Sequence, residues 1–411
     1  MSIQIKPIVT ALSRHKAGTV LIALQIALTL AIVCNALFVI RERTALMSRP
    51  TGVVDGELLQ VTNQWVGKPD GDDSLLRTDL ATLRALPGVR DAYATNAFPL
   101  IGSGWGSGIR TDPEKPGQLG VASLYFVDEH AVPTLGLHLI AGRNFRSDEV
   151  GLLEENGRPD NSSIIVTKTL ADKAFPKGDA LGKVFYIGNL GAKPSTIIGI
   201  VDNLQAPSAS SSDAATSQYT ILVPKQLAGS YNHYVVRAQP GQLETLLHTV
   251  PAALKKVTNR RVIPEKYGVL SFAELRQLAY RGDRGLAILM GGICIVLLII
   301  TAAGIVGLSS FWVGQRRKQI GVRRALGATQ RDILEYFLTE NLLIGIAGVA
   351  IGAVLAEILN VWMMTAFEVG RLSNSYLIAG VIALLALGQG AVLAPAMRAS
   401  RVPPVEATRT V

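Results

Sequence analysis

The chain has 411 residues, of which 49% are hydrophobic and 17% charged, and its formal net charge is +9. Soluble domains carry about 25% charged residues, so this composition excludes a purely soluble protein and places much of the chain in an apolar solvent. Its two cysteines, Cys34 and Cys294, both fall within apolar runs, which excludes a disulfide framework.

Residues 1–18 are a short basic segment containing Lys6, Arg14 and Lys16. Residues 19–40 form the first of four apolar runs close to the roughly 20 residues that a membrane-crossing helix needs. This run is too long for the apolar part of a cleaved signal peptide, and no clear small-x-small site follows it, so it reads as a retained helix. Residues 41–283 mix short strands and helices without regular βαβ alternation, which predicts an α+β domain. Leu58-Leu59-Gln60-Val61, Ile164-Ile165-Val166, residues 196–201 and Tyr234-Val235-Val236 read as strands. Residues 75–86 read as a helix stopped by Pro87-Gly88, and residues 168–175 and 242–257 as two more. The Ser/Ala-rich stretch 206–217 reads as a surface loop, and residues 271–284 as a helix running into the second span. The histidines His15, His130, His138, His233 and His248 are scattered without metal-ligand spacing. The nearest approach to a phosphate loop, Gly178-Asp179-Ala180-Leu181-Gly182-Lys183, is one residue short and is followed by Val184. No catalytic residue, cofactor site or metal site is expected.

The remaining spans are 284–312, 337–363 and 376–397, separated by a loop at 313–336 and a short loop at 364–375, and followed by a tail at 398–411. Four spans put the N-terminal segment, the 313–336 loop and the tail on one side. All three are basic, through Arg316, Arg317, Lys318, Arg323, Arg324 and Arg331 in the loop and Arg398, Arg401 and Arg409 in the tail. The loop holding Glu368 and Arg371 is nearly neutral. The positive-inside rule therefore places both termini in the cytoplasm and residues 41–283 outside. The charge follows the membrane flanks, which points to lipid contact and away from nucleic acid. Gly348 and Gly352 form a GxxxG pair suited to close helix packing and dimerisation, and Ala303 with Gly307 forms a similar one. Gln25, Asn35, Glu357 and Gln389 are the polar residues noted within the spans. Glu357 reads either as a functional carboxylate or as an ordinary residue near the outer interface.

The 313–336 loop is the most informative segment. It contains Gln315-Arg316-Arg317-Lys318-Gln319-Ile320-Gly321-Val322-Arg323-Arg324-Ala325-Leu326-Gly327-Ala328. A short basic helix ends at Gly327, which suits a left-handed cap. Thr329-Gln330-Arg331-Asp332 then forms a capping-box pattern that starts the next helix. On spacing alone the loop is either an anchor for lipid head groups or a docking element.

This stretch resembles the R-x-x-E-I-G-I-R-R-A-L-G-A loop of MacB/FtsX-type ABC transporter permeases, with Gln319 where the family often has Glu. The resemblance continues in Leu135-Gly136-Leu137 with Ala141-Gly142-Arg143-Asn144-Phe145, in Ala174-Phe175-Pro176 with Leu181-Gly182-Lys183, in Ile198-Gly199-Ile200-Val201, and in Pro403, Val405, Glu406 and Ala407 near the end. It implies an integral membrane α-helical bundle of four transmembrane helices, with a large α+β periplasmic domain between the first and second helices. It further implies a bacterial inner-membrane permease subunit that works as a dimer with a second copy or a paralogue. A separate cytoplasmic ABC ATPase would dock on Arg316, Arg317, Gln319, Ile320, Gly321, Arg323, Arg324, Ala325, Leu326, Gly327, Ala328 and Asp332. A periplasmic adaptor is a further candidate partner. Efflux or export by mechanotransmission is the implied activity. A periplasmic sensor is the rival reading, and the shortness of the cytoplasmic segments argues against it.

Overall fold

The computed structural model describes residues 16–67, 74–112, 114, 119–154, 162–188, 193–208, 216–228, 231–367 and 370–403. Lys6, Arg14, His15, Glu368, Val405, Glu406, Ala407, Arg409 and most of the Ser/Ala-rich stretch lie outside the described residues. The chain divides into two compact units, Leu46–Gly282 and a second one built from Met1–Ala45 with Asp283–Val411.

A long helix, α1 (Lys16–Met47), leads into the inserted unit, whose first sheet joins β1 (Leu58–Trp65), β2 (Val89–Thr95), β11 (Tyr231–Ala238), β12 (Arg261–Val262) and β13 (Val269–Ser271). These strands pair antiparallel in the order β12-β1-β11-β2, with β13 also on β1. Their side chains alternate between two cores, as the two-residue strand period requires. Leu59, Val61, Ala92, Ala94, Tyr234 and Val236 meet the helices α2 (Ser74–Arg84) and α5 (Leu243–Val257). Leu58, Tyr93 and Val235 meet the opposite core, which includes Tyr125, Phe98, Phe272 and the short helix α3 (Ala131–Leu135). With both faces covered, even the polar residues of these strands, Gln60, Thr62, Asn63, Asn232 and His233, are buried. One ion pair is sealed inside: Arg261 Nη2 lies 2.6 Å from Asp79 Oδ1, both side chains are fully buried, and Tyr234 donates its hydroxyl hydrogen to the other Asp79 oxygen.

The second sheet comprises β3 (Trp105–Arg110), β4 (Gly120–Val127), β5 (Leu139–Gly142), β6 (Gly151–Glu154), β7 (Ser163–Thr167), β8 (Val184–Ile187), β9 (Pro194–Val201) and β10 (Thr220–Ala228), with helix α4 (Lys168–Ala174) after β7. The order β4-β3-β8-β9-β7-β10 closes on itself because β10 also pairs with β4, in parallel. Closure leaves no free edge in that ring. Its core holds Ile109, Phe126, Ile164, Val166, Phe185, Ile197 and Ile221. Where the sequence predicts one helix over 271–284, there are two: α6 (Phe272–Ala279), opened by a Ser271/Glu274 capping box, and α7 (Arg281–Gln315). Tyr280 divides them. Its ring is drawn into the inner core and its hydroxyl accepts a hydrogen bond from Gln205 Nε2 at 3.0 Å, so the backbone leaves helical geometry there.

The membrane unit contains α1, α7, the short helix α8 (Arg317–Ala325), α9 (Gln330–Phe367) and α10 (Asn374–Ser400). Four of them, all but α8, are long and apolar enough to cross a membrane. Helix α1 is the most enclosed of the four, with 61% of its apolar window buried, so its neighbours wrap around it. Its polar side chains bond inward, as groups away from water must. Gln25 Nε2 donates to Ile300 O at 3.0 Å, Thr29 Oγ1 lies 2.7 Å from Thr301 Oγ1, and Asn35 Nδ2 donates to Ala356 O at 3.0 Å.

Candidate functional site

The turn joining α7, α8 and α9 gathers the residues singled out in the sequence. The α8 backbone ends in a two-bond cap: Gly327 N donates to Arg324 O at 3.1 Å and Ala328 N to Arg323 O at 3.0 Å. This is the Schellman pattern, which needs a left-handed residue after the helix, and Gly327 supplies it with φ +99°. Two residues later Thr329 and Asp332 cap α9 reciprocally. Asp332 Oδ2 accepts from Thr329 N at 2.8 Å and from Thr329 Oγ1 at 2.6 Å, and Asp332 N donates to Thr329 Oγ1 at 3.2 Å. Both helix ends are thus satisfied locally, and the four residues that join α8 to α9, Leu326, Gly327, Ala328 and Thr329, leave no loose backbone.

The site residues divide into an inner and an outer set. Arg316, Ile320 and Gly321 are buried. Arg316 Nη1 donates to both oxygens of Glu340, at 3.0 and 2.9 Å, and the two side chains retain only 11% and 4% exposure. Ile320 joins a core with Ile333, Phe337, Ala399 and Val402. Arg324, half-buried, donates from Nη1 to Ser400 O at 2.6 Å, the last residue of α10. The outer set comprises Arg317, Gln319, Val322, Arg323, Ala325, Leu326, Gly327 and Asp332, with Ala328 half-buried. The Arg323 guanidinium stacks over the Tyr336 ring at 4.9 Å, a cation–π contact that holds it against α9. Leu326 is 83% exposed and Val322 44%, an apolar pair ringed by basic side chains. Among the described residues no group of three or more His, Cys, Asp or Glu is placed to hold a metal ion.

Gly348 and Gly352 face α1 of the same chain. A Cβ at Gly348 would lie 2.9 Å from Ala23 O, and one at Gly352 would lie 2.8 Å from Ala27 O. That face is therefore occupied within one chain, whereas Ala303 and Gly307 on α7 are exposed, with nothing near a Cβ added at Gly307. Glu357 and Gln389 are half-buried. The sequence reading overlooked Glu340, Asn341 and Asn360, all buried. The available signal was an acidic residue early in an apolar run, with a run of arginines just upstream.

A model described as the MacB-like periplasmic core domain matches residues 19–249, more than half of the chain, and one described as the FtsX-like permease C-terminal region matches residues 291–404. The macrolide export ATP-binding/permease protein MacB of Chromobacterium violaceum is 23% identical over 290 residues, covering 70% of this chain and 41% of its own length. A probable export ATP-binding/permease protein of Pseudomonas fluorescens is 25% identical over 345 residues, covering 82% of this chain and 48% of its own. The chain thus spans less than half the length of these curated relatives. Among solved structures, the periplasmic region of MacB from Actinobacillus actinomycetemcomitans is similar over 57% of this chain and 97% of its own, at 14% identity and a TM-score of 0.35.

Proposed function

The chain belongs to the MacB/FtsX family of ABC-type transporter permeases, as a multi-pass membrane protein with an extracytoplasmic MacB-like domain, and from that premise we propose that a separate cytoplasmic ATPase drives its export of a substrate. The ATPase docks on the α7–α8–α9 turn, and its hydrolysis cycle moves the helices and, through them, the outer domain. Residues 1–18, 313–336 and 398–411 lie on the cytoplasmic side of a bacterial inner membrane in this reading. A second copy or a paralogue completes the transporter, with a periplasmic adaptor as a further partner of the outer domain.

The observation that carries the proposal is the Val322/Leu326 pair, exposed at 44% and 83% on a turn whose two helix ends are fully capped. An apolar tip on a rigid basic turn is a poor surface for water and a good knob for a cleft with an acidic rim. Arg317 and Arg323 supply the charge for such a rim, as charge-assisted contacts to carboxylates. The test is purification of the tagged full chain from its native membrane, as wild type and as Leu326→Asp. Vanadate-sensitive ATP hydrolysis should accompany the wild type and fall with the variant, while both chains accumulate equally. ATP hydrolysis that survives Leu326→Asp undiminished would remove the docking assignment, and its absence from wild type in several mild detergents would remove the ATPase partner.

A further inference from the structure

Helix α8 is nine residues long, too short to be stable by itself. Covalently it touches only α7 and α9. The capped turn ties its C-terminal end to the start of α9, but the backbone alone would leave α8 free to swing against the bodies of α9 and α10. Two side-chain contacts oppose this. At its N-terminal end Arg316 reaches Glu340, about three turns into α9. At its C-terminal end Arg324 reaches the carbonyl of Ser400, in the final turn of α10, where carbonyls lack intrahelical partners. Between these ends, Ile320 packs into a core with Ala399 and Val402.

We propose that the Arg316–Glu340 pair and the Arg324–Ser400 contact act as a two-ended strut that makes α8 one rigid piece with α9 and α10. The fourth span is the reason the strut matters. Helix α10 follows α9, so no short connection ties it to α8, and a load applied at Leu326 reaches α10 through Arg324 and the Ile320 packing. Glu340 is then a positioning residue: it fixes the angle of α8 through Arg316 and meets no ligand itself. A buried ion pair suits this task because its worth lies in directional fixing more than in stability. The role of the load rests on the ATPase reading above; the strut itself does not.

The test uses the full chain in nanodiscs without nucleotide or ATPase, with Cys34→Ala and Cys294→Ala as background. Nitroxide labels go on Leu326→Cys and Met397→Cys, both positions being exposed, and double electron–electron resonance reads the distance between them. With labelled chain diluted in excess unlabelled chain, so that interchain pairs vanish, a single narrow distance is expected for the otherwise native chain. Glu340→Gln should lose it to a broad distribution, and the exchange Arg316→Glu with Glu340→Arg should restore it. Arg324→Ala, which strands no buried charge, should broaden it too and serves as the test if Glu340→Gln does not accumulate. A distribution that stays narrow in Glu340→Gln and Arg324→Ala, or one that the charge exchange leaves broad in a folded chain, overturns the strut. Since no ATPase is present, either result is independent of whether an ATPase co-purifies with the chain.

Discussion

Gly327→Ala isolates the conformational cost of the α8–α9 turn. Gly327 holds φ +99°, and a Cβ built on it meets nothing within 4 Å. The substitution therefore adds no clash, and its whole effect is the left-handed penalty of about 1–2 kcal/mol for an L-residue. That penalty falls on the two bonds of the cap, Gly327 N to Arg324 O and Ala328 N to Arg323 O. A cost of that size corresponds to roughly a 5- to 30-fold rise in the open population. Hydrogen exchange of a peptide spanning 323–329 in the full chain reads it directly, because the two capped amides exchange through that opening. Alanine should accelerate their exchange by this factor, and Gly327→Asn by less, since asparagine tolerates the left-handed region. ATP hydrolysis associated with the chain should fall in the same order. Exchange in Gly327→Ala equal to that of the native glycine would refute the cap argument, and asparagine worse than alanine would mean that size, not backbone conformation, decides.

Gly352→Leu should instead act by steric conflict with Ala27 and Leu30 on α1, lowering thermal stability in detergent by about 1–3 kcal/mol. Gly307→Leu, on the open face of α7, should leave that stability unchanged, so any loss of a cross-linked dimer in this variant would locate the dimer seam on α7. Arg261→Met leaves Asp79 as an uncompensated buried charge and should cost about 3–5 kcal/mol, whereas Asp79→Leu combined with Arg261→Met should recover most of the loss; exchange protection of β1 and β11 checks both. Burial among Gln60, Thr62 and Tyr231 pushes the His233 pKa down to about 4 from the usual 6.5. The unfolded chain thus binds a proton first, so the stability is complete above about pH 6.5 and is lost as pH falls toward 4, by roughly 3 kcal/mol. His233→Gln should flatten the unfolding temperature of the outer unit across that window.

The bundle and the capped turn were legible because their signals are local. A membrane helix declares itself by an unbroken apolar run, and a cap by residues three or four apart, as in Thr329 and Asp332. Individual strands of both sheets were legible, since Leu58, Ile164, Thr196 and Tyr234 each open or sit within apolar stretches. The closed ring was not, because its parallel closure pairs Thr220 with Ser123 across a long stretch of chain, and nothing local announces such a pairing. The break at Tyr280 was hidden for a related reason: the helical pattern continues through it, and only the core that captures its ring interrupts the backbone. Glu340 passed unnoticed since its partner Arg316 lies 24 positions upstream, beyond any helical spacing. For the same reason the GxxxG pair revealed a close contact but not its partner, which proved to be Ala23 and Ala27 of the same chain.

Burial is distributed unevenly across the bundle, and lipid physics says how to read that. Helix α1 is enclosed and carries the inward-bonding Gln25, Thr29 and Asn35, while α7 has only 11% of its apolar window buried. In water, the exposed Ile288, Leu289, Ile295, Val296, Ile299 and Phe311 would require a partner. In a bilayer, acyl chains cover them at no cost, since lipid tails are as apolar as the side chains. Exposure on α7 therefore does not by itself demand a second chain; only small residues that admit a close backbone would favour one, and Gly285, Gly292, Ala303 and Gly307 are among those that face outward there. Polar bonds hold α1 inside the bundle, whereas packing alone would have to hold a dimer at α7.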